Sequence, residues 1–175
     1  MSDDRASAIP DQVLSDMSML RIKPADFARL SELVRQRCGI RMPPNKSSTL
    51  ETRLSRRVRE LGLKGFAQYC QMLFSGTGGE QELVRMIDLV TTNKTDFYRE
   101  PSHFAYLTQF ALPELAKRTG AGPDRSLRIW SAGCSSGEEP YTLAMVLSEY
   151  GRNVPGFRFR VLGTDISTRV LHAAA

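Results

Sequence analysis

Residues 128–140, RIWSAGCSSGEEP, carry the chain's most informative chemistry: a short apolar run enters a turn of small residues and passes directly into two carboxylates. The pattern predicts a strand, a tight turn and a helix start. A helix start gathers unpaired N–H groups and the positive end of the backbone dipole, so dinucleotide-binding folds seat a pyrophosphate there and read Gly-x-Gly-x-x-Gly. Here Gly133 and Gly137 are present, but Ser135 and Glu138 stand where the second and third glycines would fall. Glu138 and Glu139 would put negative charge where a phosphate must approach, and two like charges about 4 Å apart repel by roughly 4 kcal/mol near a protein surface. A phosphorylated cofactor is disfavoured; a nucleoside bearing positive charge is not.

The second half of the signature is residues 158–166, RFRVLGTDI, a strand-like run ending on Asp165. An acid at the carboxyl end of the second strand of a βαβ unit is placed to accept hydrogen bonds from ribose hydroxyls. Between the two runs, residues 139–150 read as a helix, with Pro140 in its first turn and Leu143, Val146 and Leu147 at helical spacing. S-adenosyl-L-methionine meets these demands: it keeps an adenosine, has no phosphate, and carries a sulfonium and an ammonium. Other chemistries find little support. The two histidines, His103 and His172, have no partners at metal-ligand spacing, so no metal site is expected. Cys38, Cys70 and Cys134 form no C-x-x-C, and an odd count of scattered thiols suits a reducing cytoplasm.

Three stretches in order, TTNKTDFYRE at 91–100 followed by PSHF, then RIWSAGCSSGEEPYTLAMVL, then VLGTDIS, closely resemble the CheR family of chemotaxis-receptor glutamate methyltransferases. The resemblance extends from about Pro24 to Ala175. It implies a small all-α N-terminal domain, a linker, and the start of a Rossmann-like, doubly wound α/β domain that binds S-adenosylmethionine. It also implies a reaction: methyl transfer to glutamate side chains on the cytoplasmic helical bundle of chemoreceptors, giving glutamyl methyl esters. Carried over by position, Asn93, Thr95 and Arg99 contact the cofactor from the linker, and Glu139 and Asp165 contact it from the α/β domain. Asn93 and Thr95 supply short neutral hydrogen-bonding groups, while Arg99 offers a rigid fork matched to a carboxylate. That carboxylate is either the methionine end of the cofactor or the substrate glutamate. Arg99 is the one candidate for a catalytic role. A glutamate is already ionised near neutral pH, so no general base is required and alignment is the main task.

The elements that must position these residues follow from spacing. Residues 1–20 mix Asp, Ser and isolated apolar side chains without the hydrophobic centre of a signal peptide, and read as a disordered tail. Residues 21–92 read as an all-α domain. Phe27, Leu30, Leu33 and Val34 mark a first helix ended by Gly39, and residues 42–46 a linker after which Ser47 or Ser48 caps a second helix. In that second helix Leu50, Leu54, Val58 and Leu61 form the apolar stripe, and Arg53, Arg56, Arg57 and Arg59 fan across the remaining surface. A third helix is expected over 65–74 and a fourth over 80–90, with Leu83, Ile87 and Val90 inward. Residues 93–126 form the linker and a helix starting near Pro101, and 127–175 the partial α/β domain.

The formal charge is +5, and residues 35–64 alone hold nine basic residues against Glu51 and Glu60. A basic helical face suggests an acidic partner. The family implies that Arg53, Arg56, Arg57 and Arg59 meet the glutamate-rich methylation region of a receptor. Nucleic acid is not expected, since the basic stretch holds no aromatic residue to stack bases. Neither is membrane insertion, since no segment approaches the roughly 20 apolar residues of a span. Two rival classes are a non-catalytic basic binding module for an acidic partner or nucleic acid, and a small-molecule methyltransferase; the latter shares the glycine turn but has no need of an arginine-rich helical domain. Family members continue well past the position of Ala175, so the sheet is expected to be truncated, cofactor binding weak and turnover low.

Overall fold

The computed structural model describes residues 20–76 and 79–175. Nearly all of the expected N-terminal tail lies outside the described residues; Leu20, at its end, packs against the helical core. The chain divides between Val90 and Thr91 into two compact units.

The first unit is all α. Helix α1 (Pro24–Cys38) starts with proline at its first position, where the missing N–H costs nothing, and buries Phe27, Leu30 and Val34. Gly39 ends it in the left-handed conformation, φ +71°, with its N–H on the carbonyl of Arg35. Residues 42–46 are not a plain linker: a 3₁₀ turn (Pro44–Lys46) runs straight into α2 (Ser47–Glu60). Lys46 therefore occupies the N-cap position, and no serine side chain caps the helix. Leu50, Leu54 and Val58 are buried as their spacing predicts, while Leu61 falls just past the helix end. Helices α3 (Phe66–Phe74) and α4 (Gly79–Val90) complete the unit. In α4 the inward residues include Met86, Glu82 and Asp88, with Ile87 only half-buried. Leu30, Val34, Leu50, Leu54, Val58, Tyr69, Cys70 and Met86 are fully buried. Burying each of the larger apolar side chains is worth about 1.5–3 kcal/mol, and these anchor the bundle.

In the second unit, α5 (Pro101–Tyr106) passes through a π turn (Leu107–Ala111) into α6 (Leu112–Thr119). Strand β1 (Leu127–Ala132) then leads through the glycine turn to α7 (Glu138–Gly151), β2 (Phe159–Thr164) and α8 (Thr168–Ala174). The strands are parallel and in register from Leu127 opposite Phe159 to Ala132 opposite Thr164. Side chains alternate across the sheet. Leu127, Ile129, Phe159 and Val161 pack with Leu112 of α6 and Leu147 of α7. The other face, Arg128, Trp130, Ala132, Arg160, Leu162 and Thr164, is exposed. Both helices thus cover one face of the two strands. Among the described residues, no helix is long and apolar enough to cross a membrane, and no group of three His, Cys, Asp or Glu side chains is arranged to hold a metal ion.

Candidate functional site

The turn between β1 and α7 is held by the neighbouring strand. The N–H groups of Gly133 and Cys134 both donate to the carbonyl of Thr164, at 2.8 and 2.9 Å, so the loop stays anchored after the ladder ends. Gly137, the residue before the helix, needs to be glycine twice over: its φ is +103°, and a Cβ there would come within 3.2 Å of Tyr141 and Ala174. Glu138 and Glu139 occupy the first turn of α7, where carboxylates interact favourably with the helix dipole.

The two acids are fixed differently. Glu138 accepts from the hydroxyl of Ser136 within the turn, at 2.8 and 3.0 Å. Glu139, at the surface, accepts from Ser131 Oγ on β1 at 2.6 Å, and Ser131 is itself buried. Asp165, half-buried just beyond β2, receives the Ser135 N–H on one oxygen and the Ser167 N–H on the other, both at 2.9 Å. Each of those oxygens retains a second lone pair for a ligand donor. Cys134 lies in the same turn, its thiol buried. Burial raises its pKa first, and the negative charge of Asp165, then that of Glu139, adds to the effect. The thiol is thus kept protonated and shielded, a small side chain filling the turn rather than a nucleophile.

The linker meets the same turn. Ser135 Oγ donates to the carbonyl of Asn93 at 2.8 Å, which brings the 91–100 segment beside Asp165. The Nδ2 amide of Asn93 is buried with no partner among the described residues, an unusual state for a donor that points to a missing acceptor. Thr95 is half-buried, and Arg99 is exposed with Nη1 on the carbonyl of Lys94 at 2.9 Å. Asn93, Glu139 and Asp165 are therefore gathered around one turn, with Thr95 and Arg99 on the strand of linker that reaches it.

The arginine face of the first unit departs from the expected fan. Arg57 turns inward, its guanidinium on the Glu82 carboxylate at 2.6 Å, and Tyr69 donates its hydroxyl to the same carboxylate at 3.0 Å. That ion pair holds the Arg57 guanidinium well above its ordinary pKa. Arg53 is half-buried and donates to the carbonyl of Val90. Only Arg56, paired with Glu60 at 2.9 Å, and Arg59 stand fully at the surface. The reason is Glu82, an acid on the inner face of α4 that needs a cation. Sequence reasoning takes Ser135 only as a departure from the glycine pattern and does not single out Ser131, Ser136 or Thr142, yet the hydroxyls of all four tie the site together. Their only signal was their type, which equally suits any turn or helix.

Residues 25–91 match the model of the CheR methyltransferase all-alpha domain, and residues 93–175 that of the CheR methyltransferase S-adenosylmethionine-binding domain. The chain is similar to a chemotaxis protein methyltransferase of Borreliella burgdorferi, 41% identical over 89% of this chain and 55% of the relative. It is likewise similar to chemotaxis protein methyltransferases of Escherichia coli (40% over 89% of this chain and 50% of the relative) and Salmonella typhimurium (36% over 99% and 57%). The chain spans about half the length of the curated relatives it matches. With an all-α unit followed by a strand–turn–helix–strand segment, in the order of the two matched domains, the chain belongs to the CheR methyltransferase family.

Proposed function

We propose that the protein moves a methyl group from S-adenosyl-L-methionine to glutamate side chains of chemoreceptors, forming glutamyl methyl esters. The observation that carries this reading is the convergence of Glu139 and Asp165 on the glycine turn, beside the buried Asn93 amide, which has no partner among the described residues. That donor and acceptor set fits a nucleoside with cationic groups, and residues 131–142 contain no lysine or arginine to receive a phosphate. When bound, S-adenosylmethionine supplies an electrophilic methyl on a sulfonium.

The chain's own residues bind and orient. Asp165 takes ribose hydroxyls on its remaining lone pairs, Glu139 faces the cationic end, and Asn93 and Thr95 hydrogen-bond from the linker. Arg99, with most of its N–H groups uncommitted to the linker, takes a carboxylate. An incoming glutamate is already ionised, so no residue need remove a proton, and proximity supplies the rate. Arg56 and Arg59 draw the acidic methylation region of a receptor in the cytoplasm, with Arg53 and Arg57 bracing the helix behind them. Residues 21–92 are the helical domain, 93–126 the linker and first helix, and 127–175 the opening of a doubly wound, Rossmann-like sheet.

The test is calorimetric titration with S-adenosylhomocysteine and, separately, NADH, on this chain and on a version extended to the relatives' length. Binding of the former with no NADH response is expected, followed by base-labile methyl incorporation into a receptor cytoplasmic fragment. A diphosphate ligand binding at the turn, or basic-face binding to nucleic acid without S-adenosylhomocysteine binding, would overturn the assignment.

A further inference from the structure

Two buried hydroxyls fasten the linker segment that carries Asn93 and Thr95 to the glycine turn and the helix after it. At one, Ser135 Oγ donates to the carbonyl of Asn93 at 2.8 Å. At the other, Thr142 Oγ1 accepts the N–H of Tyr98 at 3.2 Å. Ser135 is 5% exposed and Thr142 is fully buried. Neither group is merely disposing of its own polarity locally. The Ser135 N–H also holds Asp165, at 2.9 Å, and Thr142 Oγ1 also donates to the Glu138 carbonyl, at 2.6 Å. Each residue therefore ties the linker to an element that carries an acid of the site.

Backbone geometry points the same way. Among the described residues, the non-glycine residues with positive φ are Tyr98 (+54°), Glu100 (+57°) and Ser135 (+51°), all in this segment or the turn it meets. Such conformations are strained for a residue with a side chain and persist where surrounding structure over-determines them. At Ser135 glycine would relieve the backbone but lose the hydroxyl, and serine is what stands there.

We propose that Ser135 and Thr142 are positioning residues: a two-point hydroxyl clasp sets residues 93–98 against the glycine turn and so presents Asn93 and Thr95 to the bound nucleoside. This rests on the ligand assignment given under Proposed function. The clasp acts on affinity through the linker rather than by touching the ligand.

The test uses Ser135→Ala, Ser135→Gly, Thr142→Val and Thr142→Ser in this chain. Three quantities are read: thermal midpoint, amide hydrogen exchange of residues 93–98 without ligand, and calorimetric affinity for S-adenosylhomocysteine. Losing either hydroxyl is expected to speed exchange of the segment and weaken binding by about tenfold, the scale of one good hydrogen bond. Thr142→Ser, which keeps the hydroxyl, restores both. Ser135→Gly relieves the positive φ and melts at or above Ser135→Ala, yet binds as weakly. Affinity that simply follows the melting midpoint, or wild-type binding by Ser135→Gly, overturns the clasp. If the unmutated chain binds no S-adenosylhomocysteine, the ligand assignment fails for it, and exchange alone decides: unchanged exchange in Ser135→Gly and Thr142→Val sinks the proposal.

Discussion

Replacing Arg57 by alanine separates a structural arginine from a partner-binding one. The Glu82 side chain is 6% exposed and its carboxylate is held by Arg57 at 2.6 Å and by Tyr69 at 3.0 Å. Deleting the guanidinium leaves that carboxylate buried with one neutral donor, a change that typically costs about 3–5 kcal/mol. At about 0.05–0.15 kcal/mol per residue, the roughly 70 described residues of this unit have a total stability of only about 3.5–10 kcal/mol. Arg57→Ala should therefore forfeit a third or more of it. Arg56→Ala is the matched control: its side chain is 88% exposed on an i,i+4 pair, worth less than about 1 kcal/mol. Urea unfolding followed by helical circular dichroism reads both units and fluorescence of Trp130, the only tryptophan, reads the second, so the part of the dichroism change that the fluorescence does not follow reports the first. A triple variant, Arg57→Met with Glu82→Leu and Tyr69→Phe, removes the charges and the dependent hydroxyl together and should recover most of the loss. If Arg57→Ala unfolds within 1 kcal/mol of Arg56→Ala, the buried pair is not a structural strut and this reasoning is refuted.

Ser131→Ala frees one oxygen of Glu139 and should weaken S-adenosylhomocysteine binding by about 1 kcal/mol, roughly fivefold, with little change in melting; equal affinity would show that Glu139 needs no orienting partner. Cys70 sets an alkaline limit. Burial, and secondarily Asp26, pushes its pKa from 9.0 up to about 12, so its contribution is fully present below pH 9 and is lost as pH climbs through 12. Tyr69, shifted upward by burial, acts in the same direction. The urea midpoint should fall between pH 9 and pH 12, less steeply in Cys70→Ala, and identical slopes would count against the assignment. Trp130, 67% exposed on the open sheet face, should emit like free indole and be readily quenched by acrylamide in this chain; a blue-shifted, protected emission would mean that face is covered.

Where apolar spacing alone decides a structure, the chain was readable. Leu30 and Val34 in α1, or Leu50, Leu54 and Val58 in α2, have no alternative to the core, and Gly39 adopts the left-handed turn that ends its helix. The β1–turn–α7 path and the acid after β2 were equally legible, because a glycine pair between an apolar run and a helical stripe has few other uses. Polar partnerships were not. Arg57 and Glu82 are 25 residues apart, and an arginine at that position on α2 reads as one more solvated cation until α4 delivers an acid to its inner face. Nor does anything in the alternation of the strands announce that α6 and α7 share one face of the sheet and leave Trp130 and Leu162 on the other.

The same limit explains why the serines of the turn were undervalued. Set against the glycines of a dinucleotide fingerprint, Ser135 and Glu138 count only by what they exclude, the approach of a phosphate. Ser135 instead joins Asp165 through its N–H and Asn93 through its hydroxyl, across 30 and 42 residues of chain. A glycine at that position could make the first bond but not the second. The departure from the glycine pattern thus has two physical consequences at one residue: the turn gives up flexibility suited to wrapping a diphosphate, and gains a covalently fixed hydroxyl that brings the linker to the acids. A site assembled in this way depends on the linker being in place, so ligand affinity should be more sensitive to changes in residues 93–98 than to equally sized changes on the exposed face of α7.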